Sequence, residues 1–411
     1  MRLFIALIFL FICSICDAQI KDTVLSVENY NAYIRQKAHN LNFLVADKAV
    51  IQHQEELKNF FRKLSLLKSQ NKGTVNIVHL GDSHIQAGYF SGIIRRNLQQ
   101  YFGNAGRGLV FPYRLAKSNG PHDYVSFSAN QWNGYRNVNN PDSVPTGISG
   151  FVVVSKDSSI SCGISLRNNE GINYAFKTVE LFASMADSSD VMLTDSSGSV
   201  VANKQSFTNN TFIFSDEVTN LNFKIQNNDS LFSLYGLNLL NDSSGIVYHT
   251  IGVNGAECSH FLHQQLLPEQ LKDLHPDLYI LSFGTNEAFS KSFYADLFIQ
   301  TVDSTIQKLK EVAPDADVLI TSPAESCVRL RRGRYASNPN VLLIRNALKD
   351  YCASKNIAFF DLYECAGGKG SMQKFARTHM SDARRIHFTR IGYEIQGLML
   401  LDALMKIIAQ E

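Results

Sequence analysis

Val75-Asn-Ile-Val-His-Leu80 is an apolar run of strand length, and Gly81-Asp82-Ser83-His84 follows it directly. Ile85, Ile93, Ile94 and Leu98 then recur at spacings that predict a helix from about residue 85. Ser83 is thereby expected on the turn between the C-terminal end of a strand and the N-terminus of a helix. In open α/β sheets that edge is where ligands bind. A helix N-terminus also offers unpaired N–H groups and a positive partial charge, which favour an oxyanion forming beside a serine. Gly81 is expected to permit the tight turn. The same residues also read as a plain helix start, because Asp82 and Ser83 are both preferred caps.

Two further stretches repeat this grammar. Gly245-Ile-Val-Tyr-His-Thr-Ile-Gly252 runs into Val253-Asn254-Gly255-Ala256, and Leu278-Tyr-Ile-Leu-Ser-Phe283 runs into Gly284-Thr285-Asn286-Glu287. Each is an apolar strand ending in a polar, glycine-bearing turn, so all three turns are expected along one edge of a parallel sheet. The Gly255 N–H and the Asn286 amide are suitable oxyanion donors, although either turn alone reads equally as an ordinary capped connection. Arg385-Ile-His-Phe-Thr389 precedes the closing helix. A serine hydroxyl needs a base to take its proton, and His387 is the histidine so placed. Position 85 is isoleucine, so the first turn is not a Gly-x-Ser-x-Gly elbow.

Working outward, residues 19 to about 72 read as helical, with Leu41, Leu44, Leu57, Phe60, Phe61, Leu64 and Leu67 at helix-like intervals. The middle of the chain, about 109 to 245, is rich in Ser, Asn, Asp and Gly. It carries short alternating runs such as Tyr124–Ser128, Phe151–Val154, Thr211–Phe214 and Leu221–Ile225. That pattern predicts an inserted antiparallel β-sandwich. From 246 onward apolar strands again alternate with helices, as a parallel sheet covered on both faces requires. The expected organisation is residues 1–18 as a signal peptide, 19–72 as a helical segment, 73–108 and 246–411 as two parts of one α/β domain, and 109–245 as the insertion.

The signal reading rests on Arg2, the apolar stretch Leu3–Ile12, and the small residues Cys16 and Ala18 before a cut after position 18. An uncleaved anchor is the other reading of that segment. Secretion or a periplasmic location follows from a cleaved signal, and no later stretch has the length of a membrane helix. Five cysteines remain after the cut, an odd number, and no zinc-ligand spacing is present. The chain of 411 residues has a formal net charge of +2 and 18% charged residues, so nothing points to a nucleic-acid partner. The one local basic run is Arg329, Arg331, Arg332 and Arg334; it reads as a solvated loop or as a contact to an acidic polymer.

Taken in order, Gly-Asp-Ser, Val-Asn-Gly-Ala, Gly-Thr-Asn-Glu and His-Phe-Thr resemble the four blocks of the SGNH/GDSL hydrolase superfamily. The resemblance implies a flavodoxin-like three-layer parallel sheet and an esterase that needs no metal or organic cofactor. Carried over, Ser83 corresponds to the nucleophile and first oxyanion donor, Gly255 to the second, Asn286 to the third and His387 to the base. One departure stands out. The family carries aspartate three residues before the histidine, where this chain has Arg384. Asp382 is the nearest upstream carboxylate, and it completes a triad only if the loop bulges. Otherwise Ser83 and His387 act as a dyad, or activity is impaired.

The export signal, the Gly-Asp-Ser-His block and the β-rich insertion together resemble bacterial peptidoglycan O-acetylesterases, whose inserted module is similar to a carbohydrate-binding sandwich. This resemblance implies an acetylated glycan, or a small ester, as substrate. A glycan O-acyltransferase and a glycan-binding protein with impaired catalysis are the alternatives. Tyr113, Trp132, Tyr135 and Tyr174 of the insertion could stack on sugars or fill its core.

Overall fold

Side chains alternate along the buried strands, and this alternation builds one core on each face of a single sheet. The computed structural model describes residues 26–139, 141, 143–167, 171–184, 190–195, 203–206, 211–226 and 231–410. The segment read as a signal peptide lies outside them. The sheet comprises β1 (Ile51–Gln52), β2 (Thr74–Gly81), β3 (Gly245–Gly252), β4 (Leu278–Ser282), β5 (Asp317–Thr321) and β6 (Ala358–Phe360). Its spatial order is β1-β6-β5-β4-β2-β3. Strands β2 to β6 run parallel, and their order is that of a flavodoxin-like sheet.

Val75, Ile77, Leu278, Ile280 and Leu319 point to one face. There they meet α1 (Val27–His39), α2 (Lys58–Gln70), α3 (Tyr89–Phe102) and α6 (Arg390–Ile408). Val78, Leu80, Tyr279, Leu281, Val318 and Ile320 point to the other face, against α4 (Ala295–Val312) and α5 (Pro339–Lys355). Fully burying each such aliphatic side chain contributes roughly 1.5–3 kcal/mol, which is what fixes the strand register.

Two expectations need correction here. The sheet is mixed, because β1 pairs antiparallel with β6 through Ile51↔Phe360 and Gln52↔Phe359. The stretch before residue 72 is therefore not helical throughout. A strand of two residues leaves no periodicity to read, and its pairing with β6 is a tertiary contact. The segment is also bound to the sheet's helices: Tyr30 Oη donates to Glu394 at 2.6 Å, and Arg35 grips Asp402 at 2.8 and 2.7 Å. Secondly, the helix expected from residue 85 is broken. Ser83–Gln86 forms one turn, Gly88 takes φ +72°, and α3 starts at Tyr89.

Between α3 and β3 the described residues form a seven-stranded and a four-stranded antiparallel sheet. Tyr124–Phe127, Phe151–Ser155, Thr211–Val218 and Asn220–Gln226 are all strands in it. Ile160, Ile164 and Phe223 of the smaller sheet share one apolar cluster with Val152, Val179, Phe212 and Leu234 of the larger. Tyr113, Trp132 and Tyr174 are buried in this region and Tyr135 is half-buried. Three of the four aromatics thus pack inside and present no free face to a sugar.

The strand Gly106–Val110 leads into these sheets and lies beside β3, with Ala105 N–H donating to Ile246 O at 3.3 Å. A buried ion cluster fastens them further. Asp123 accepts from Arg95 of α3 at 2.6 Å and from Arg107 at 2.6 Å. Burial alone would push the Asp123 carboxyl up; the two guanidiniums outweigh it and hold the group well below the usual carboxylate range. Among the described residues the five cysteines are free and buried, and no helix is long and apolar enough to cross a membrane.

Candidate active site

The register of the sheet sets the site. Gly81 stands beside Gly252 on one side and Ser282 on the other. The turns after β2, β3 and β4 therefore leave the sheet at one level and crowd together. Gly81 and Gly252 are needed for space. A Cβ at Gly81 would lie 2.4 Å from Ile85 Cγ1, and one at Gly252 would lie 2.2 Å from the Gln86 nitrogen. The short helix Ser83–Gln86 rests directly on these two strand ends. Gly81 thus serves close packing, with no positive φ.

Both readings of the Asp82-Ser83 pair are realised. Asp82 caps the short helix, its Oδ1 accepting from His84 N–H at 2.9 Å. Ser83 keeps its hydroxyl for another partner, His387 Nε2 at 2.8 Å. His387 arrives from the turn before α6. The Nδ1 side of its ring faces Asp382 Oδ2 at 3.5 Å, an ion-pair distance beyond that of a good hydrogen bond. The intervening residues are absorbed by a tight turn. Arg385 takes φ +58° and its N–H donates to Asp382 O at 3.1 Å. Asp382 Oδ1 accepts from the N–H groups of Ile386 and His387 at 3.0 and 3.3 Å. Arg384 points outward, 73% exposed, and touches the same Asp382 Oδ2 at 3.3 Å.

The surroundings of His387 shift it toward its neutral form. Burial is the largest influence lowering its pKa; neighbouring His84 adds to it and Asp382 opposes it. His84 stacks on the His387 ring with centroids 5.2 Å apart and planes at 28°. Its Nδ1 meets Tyr393 Oη of α6 at 3.1 Å, and burial drives its own pKa down to about 4. A neutral imidazole therefore backs the candidate base. Asp382 has its carboxyl pushed up by burial and, more strongly, down by the two backbone N–H groups and by His387.

The expected oxyanion donors lie on the turns that follow β2, β3 and β4. Among the described residues no acceptor takes the N–H of Ser83 or of Gly255. Gly255 is exposed and its φ is +83°, a conformation that favours glycine. Asn286 uses one amide hydrogen on Ala256 O at 2.8 Å and keeps a second.

Several supporting residues escaped the sequence reading. Glu287 is buried and clamps two blocks together, accepting from Cys258 N–H at 2.9 Å and Gly284 N–H at 3.0 Å. Burial raises its pKa to about 8. Gln86 Oε1 accepts from Asn254 N–H at 2.5 Å while its amide reaches Asn119 O at 2.6 Å. Arg136 donates to Asn254 O at 3.1 Å. Glu287 and Gln86 lie within or next to the motif blocks, so their position was a usable signal. Asn119 and Arg136 belong to a polar stretch in which nothing marks them.

Residues 228–395 match the GDSL-like lipase/acylhydrolase family. That stretch holds Gly255, Asn286, Asp382 and His387 but not Ser83. Among solved structures, a peptidoglycan O-acetylesterase is similar over 86% of this chain and 97% of its own, with 20% identity and a TM-score of 0.73. A lipase/acylhydrolase from Enterococcus faecalis is similar over 41% of this chain and 78% of its own, with 19% identity and a TM-score of 0.30. No curated protein matches by sequence.

Proposed function

We propose that this chain is an esterase of the SGNH/GDSL type, an exported O-acetylesterase acting on a glycan or cell-wall polymer through Ser83 and His387. The observation that carries the mechanism is the 2.8 Å contact between Ser83 Oγ and His387 Nε2 at the C-terminal edge of the sheet. His387 takes the Ser83 proton as Oγ attacks the ester carbonyl carbon. The carbonyl oxygen becomes an oxyanion and accepts from the N–H groups of Ser83 and Gly255 and from the spare Asn286 amide hydrogen. On collapse the C–O bond to the sugar breaks, and His387 returns its proton to the leaving hydroxyl. Water, deprotonated by His387, then releases acetate and restores Ser83. Asp382 stabilises the imidazolium that forms in each half-reaction, with the bulged turn standing in for the usual three-residue spacing.

The choice of acetyl and glycan is supported by the likeness in fold to a peptidoglycan O-acetylesterase. It is also supported by a β-sandwich insertion whose Arg136 and Asn119 hold the Asn254 turn beside the site. The signal read at residues 1–18 supports export. The purified protein tests the proposal: it is expected to hydrolyse p-nitrophenyl acetate and to release acetate from O-acetylated peptidoglycan. Ser83→Ala is expected to lose about 10⁴-fold or more in kcat while melting at the same temperature. Equal turnover by the mutant removes Ser83 as nucleophile. Turnover of the small ester without acetate release from peptidoglycan removes that polymer as the substrate.

A further inference from the structure

Arg329, Arg331, Arg332 and Arg334 occupy one exposed hairpin, whose strands Cys327–Arg329 and Tyr335–Ser337 pair antiparallel. In sequence this run is remote from all four motif blocks. In the fold its base is fastened to the turn that carries His387. Cys327 N–H donates to Arg385 O at 2.9 Å, and the Arg385 guanidinium lies 4.4 Å above the Tyr335 ring. Arg384 stands exposed on the same turn. Six arginines thus lie on the His387 turn and on the hairpin fastened to it, in a chain whose formal net charge is only +2.

Arg384 is paired with Asp382 at 3.3 Å, but the four arginines of the hairpin are not compensated locally. Among the described residues no carboxylate pairs with Arg329, Arg331, Arg332 or Arg334. The nearby Glu325 is buried, and its carboxylate is turned inward onto the N–H groups of Gly370 and Met372 at 2.6 and 2.8 Å. The hairpin tip is tightly built, with Leu330 N–H donating to Arg334 O at 2.7 Å and Arg332 at φ +59°. Uncompensated like charges on a short closed hairpin repel one another, and a bound anion relieves that repulsion. Planar guanidinium forks match carboxylates two bonds at a time.

We infer that this arginine hairpin is the docking surface for an anionic, carboxylate-bearing polysaccharide whose acetyl esters are delivered to Ser83. The inference rests on the esterase reading above. A nucleic acid suits the surface less well: it carries no acyl ester, and the hairpin's one aromatic ring, Tyr335, is half-buried under Arg385, leaving no platform for bases.

The test uses the whole protein and a triple variant, Arg331→Gln/Arg332→Gln/Arg334→Gln. These residues are exposed and touch neither Ser83 nor His387. Binding of a fluorescent oligogalacturonate is expected to weaken at least about 10-fold in the variant, and also in the wild type as salt rises from about 0.02 to 0.2 M. On acetylated pectin kcat/KM is expected to fall with it, while p-nitrophenyl acetate hydrolysis stays unchanged. Binding that is equal in both proteins, or insensitive to salt, overturns the inference. So does an equal fall on acetylated glucomannan, which is the neutral control. A single-stranded DNA oligomer of matched charge displacing the probe at lower concentration overturns the choice of a glycan. Failure of the esterase reading is visible separately, as absent turnover of the small ester while oligogalacturonate still binds.

Discussion

Asp382→Asn isolates the contribution of a carboxylate that stands at an unusual place in the sequence. In the folded chain Asp382 Oδ2 lies 3.5 Å from His387 Nδ1. A full positive charge on the imidazole at that distance is stabilised by about 1.2 kcal/mol in bulk water and about 4.7 kcal/mol at an effective dielectric of 20. The two side chains are 27% and 29% exposed, so solvent screens part of the attraction and about 1–3 kcal/mol is the reasonable range. That converts to a loss of about 5- to 150-fold in kcat. Asparagine retains an oxygen that can accept from the Ile386 and His387 N–H groups, so the turn is expected to persist. Asp382→Ala removes those acceptors as well and is expected to lose more, together with some thermal stability. The assay is the initial rate on p-nitrophenyl acetate across pH, beside a melting curve.

The sign of the pH effect follows from the site. The base must be neutral, so activity falls on the acid side as pH drops through the pKa of His387. Burial first, then His84, set that pKa below its ordinary value, and Asp382 is one of the groups that raise it. Removing the Asp382 charge is therefore expected to move the acid limb to still lower pH. A kcat for Asp382→Asn within twofold of wild type, with the acid limb unmoved, would refute the carboxylate's role and leave Ser83 and His387 as a dyad.

Three further outcomes are expected. Asn286→Ala removes one of the proposed oxyanion donors, and kcat should fall about 10²- to 10³-fold with little change in KM for a small ester. Gly255→Ala meets no atom closer than Val138 Cγ1 at 3.9 Å. Its φ of +83° nonetheless costs an L-residue about 1–2 kcal/mol, so the protein should fold while its N–H donor shifts and kcat drops about 10-fold. Asp123→Ala leaves Arg95 and Arg107 buried without their shared carboxylate, which should destabilise the protein by about 3–5 kcal/mol in urea unfolding. Because the folded Asp123 pKa is depressed, its contribution is full above the ordinary carboxylate value and lost as pH falls through the lower folded one. The gap between wild type and Asp123→Ala should therefore narrow below about pH 4.

Much of the α/β framework was legible because its signals are local. Residues 278–281 and 318–320 are continuous apolar runs, and a strand buried on both faces accommodates such a run. The break at Gly88 was missed because Ile85 and Ile93 keep a helical spacing across it. That spacing is a property of side chains; the break is a property of one backbone φ. β1 was missed because two residues carry no period. The aromatics of the insertion could not be sorted between core and surface until the two sheets existed to bury them.

The sequence by itself determined the order and chemistry of the motif blocks. Strand periodicity and turn composition are set by neighbours in the chain, and they put Ser83, Gly255 and Asn286 on turns after three strands. Tertiary structure decided what those residues meet. It brought His387 within 2.8 Å of Ser83 and folded the turn so that Asp382, not Arg384, faces the ring. It also fastened the arginine hairpin to the His387 turn and Arg136 of the insertion to the Asn254 turn. These contacts join residues far apart in the chain, and they depend on strand register and on a left-handed residue at Arg385. Neither leaves a mark in the spacing of residue types, because both are fixed by packing across the sheet and not along it.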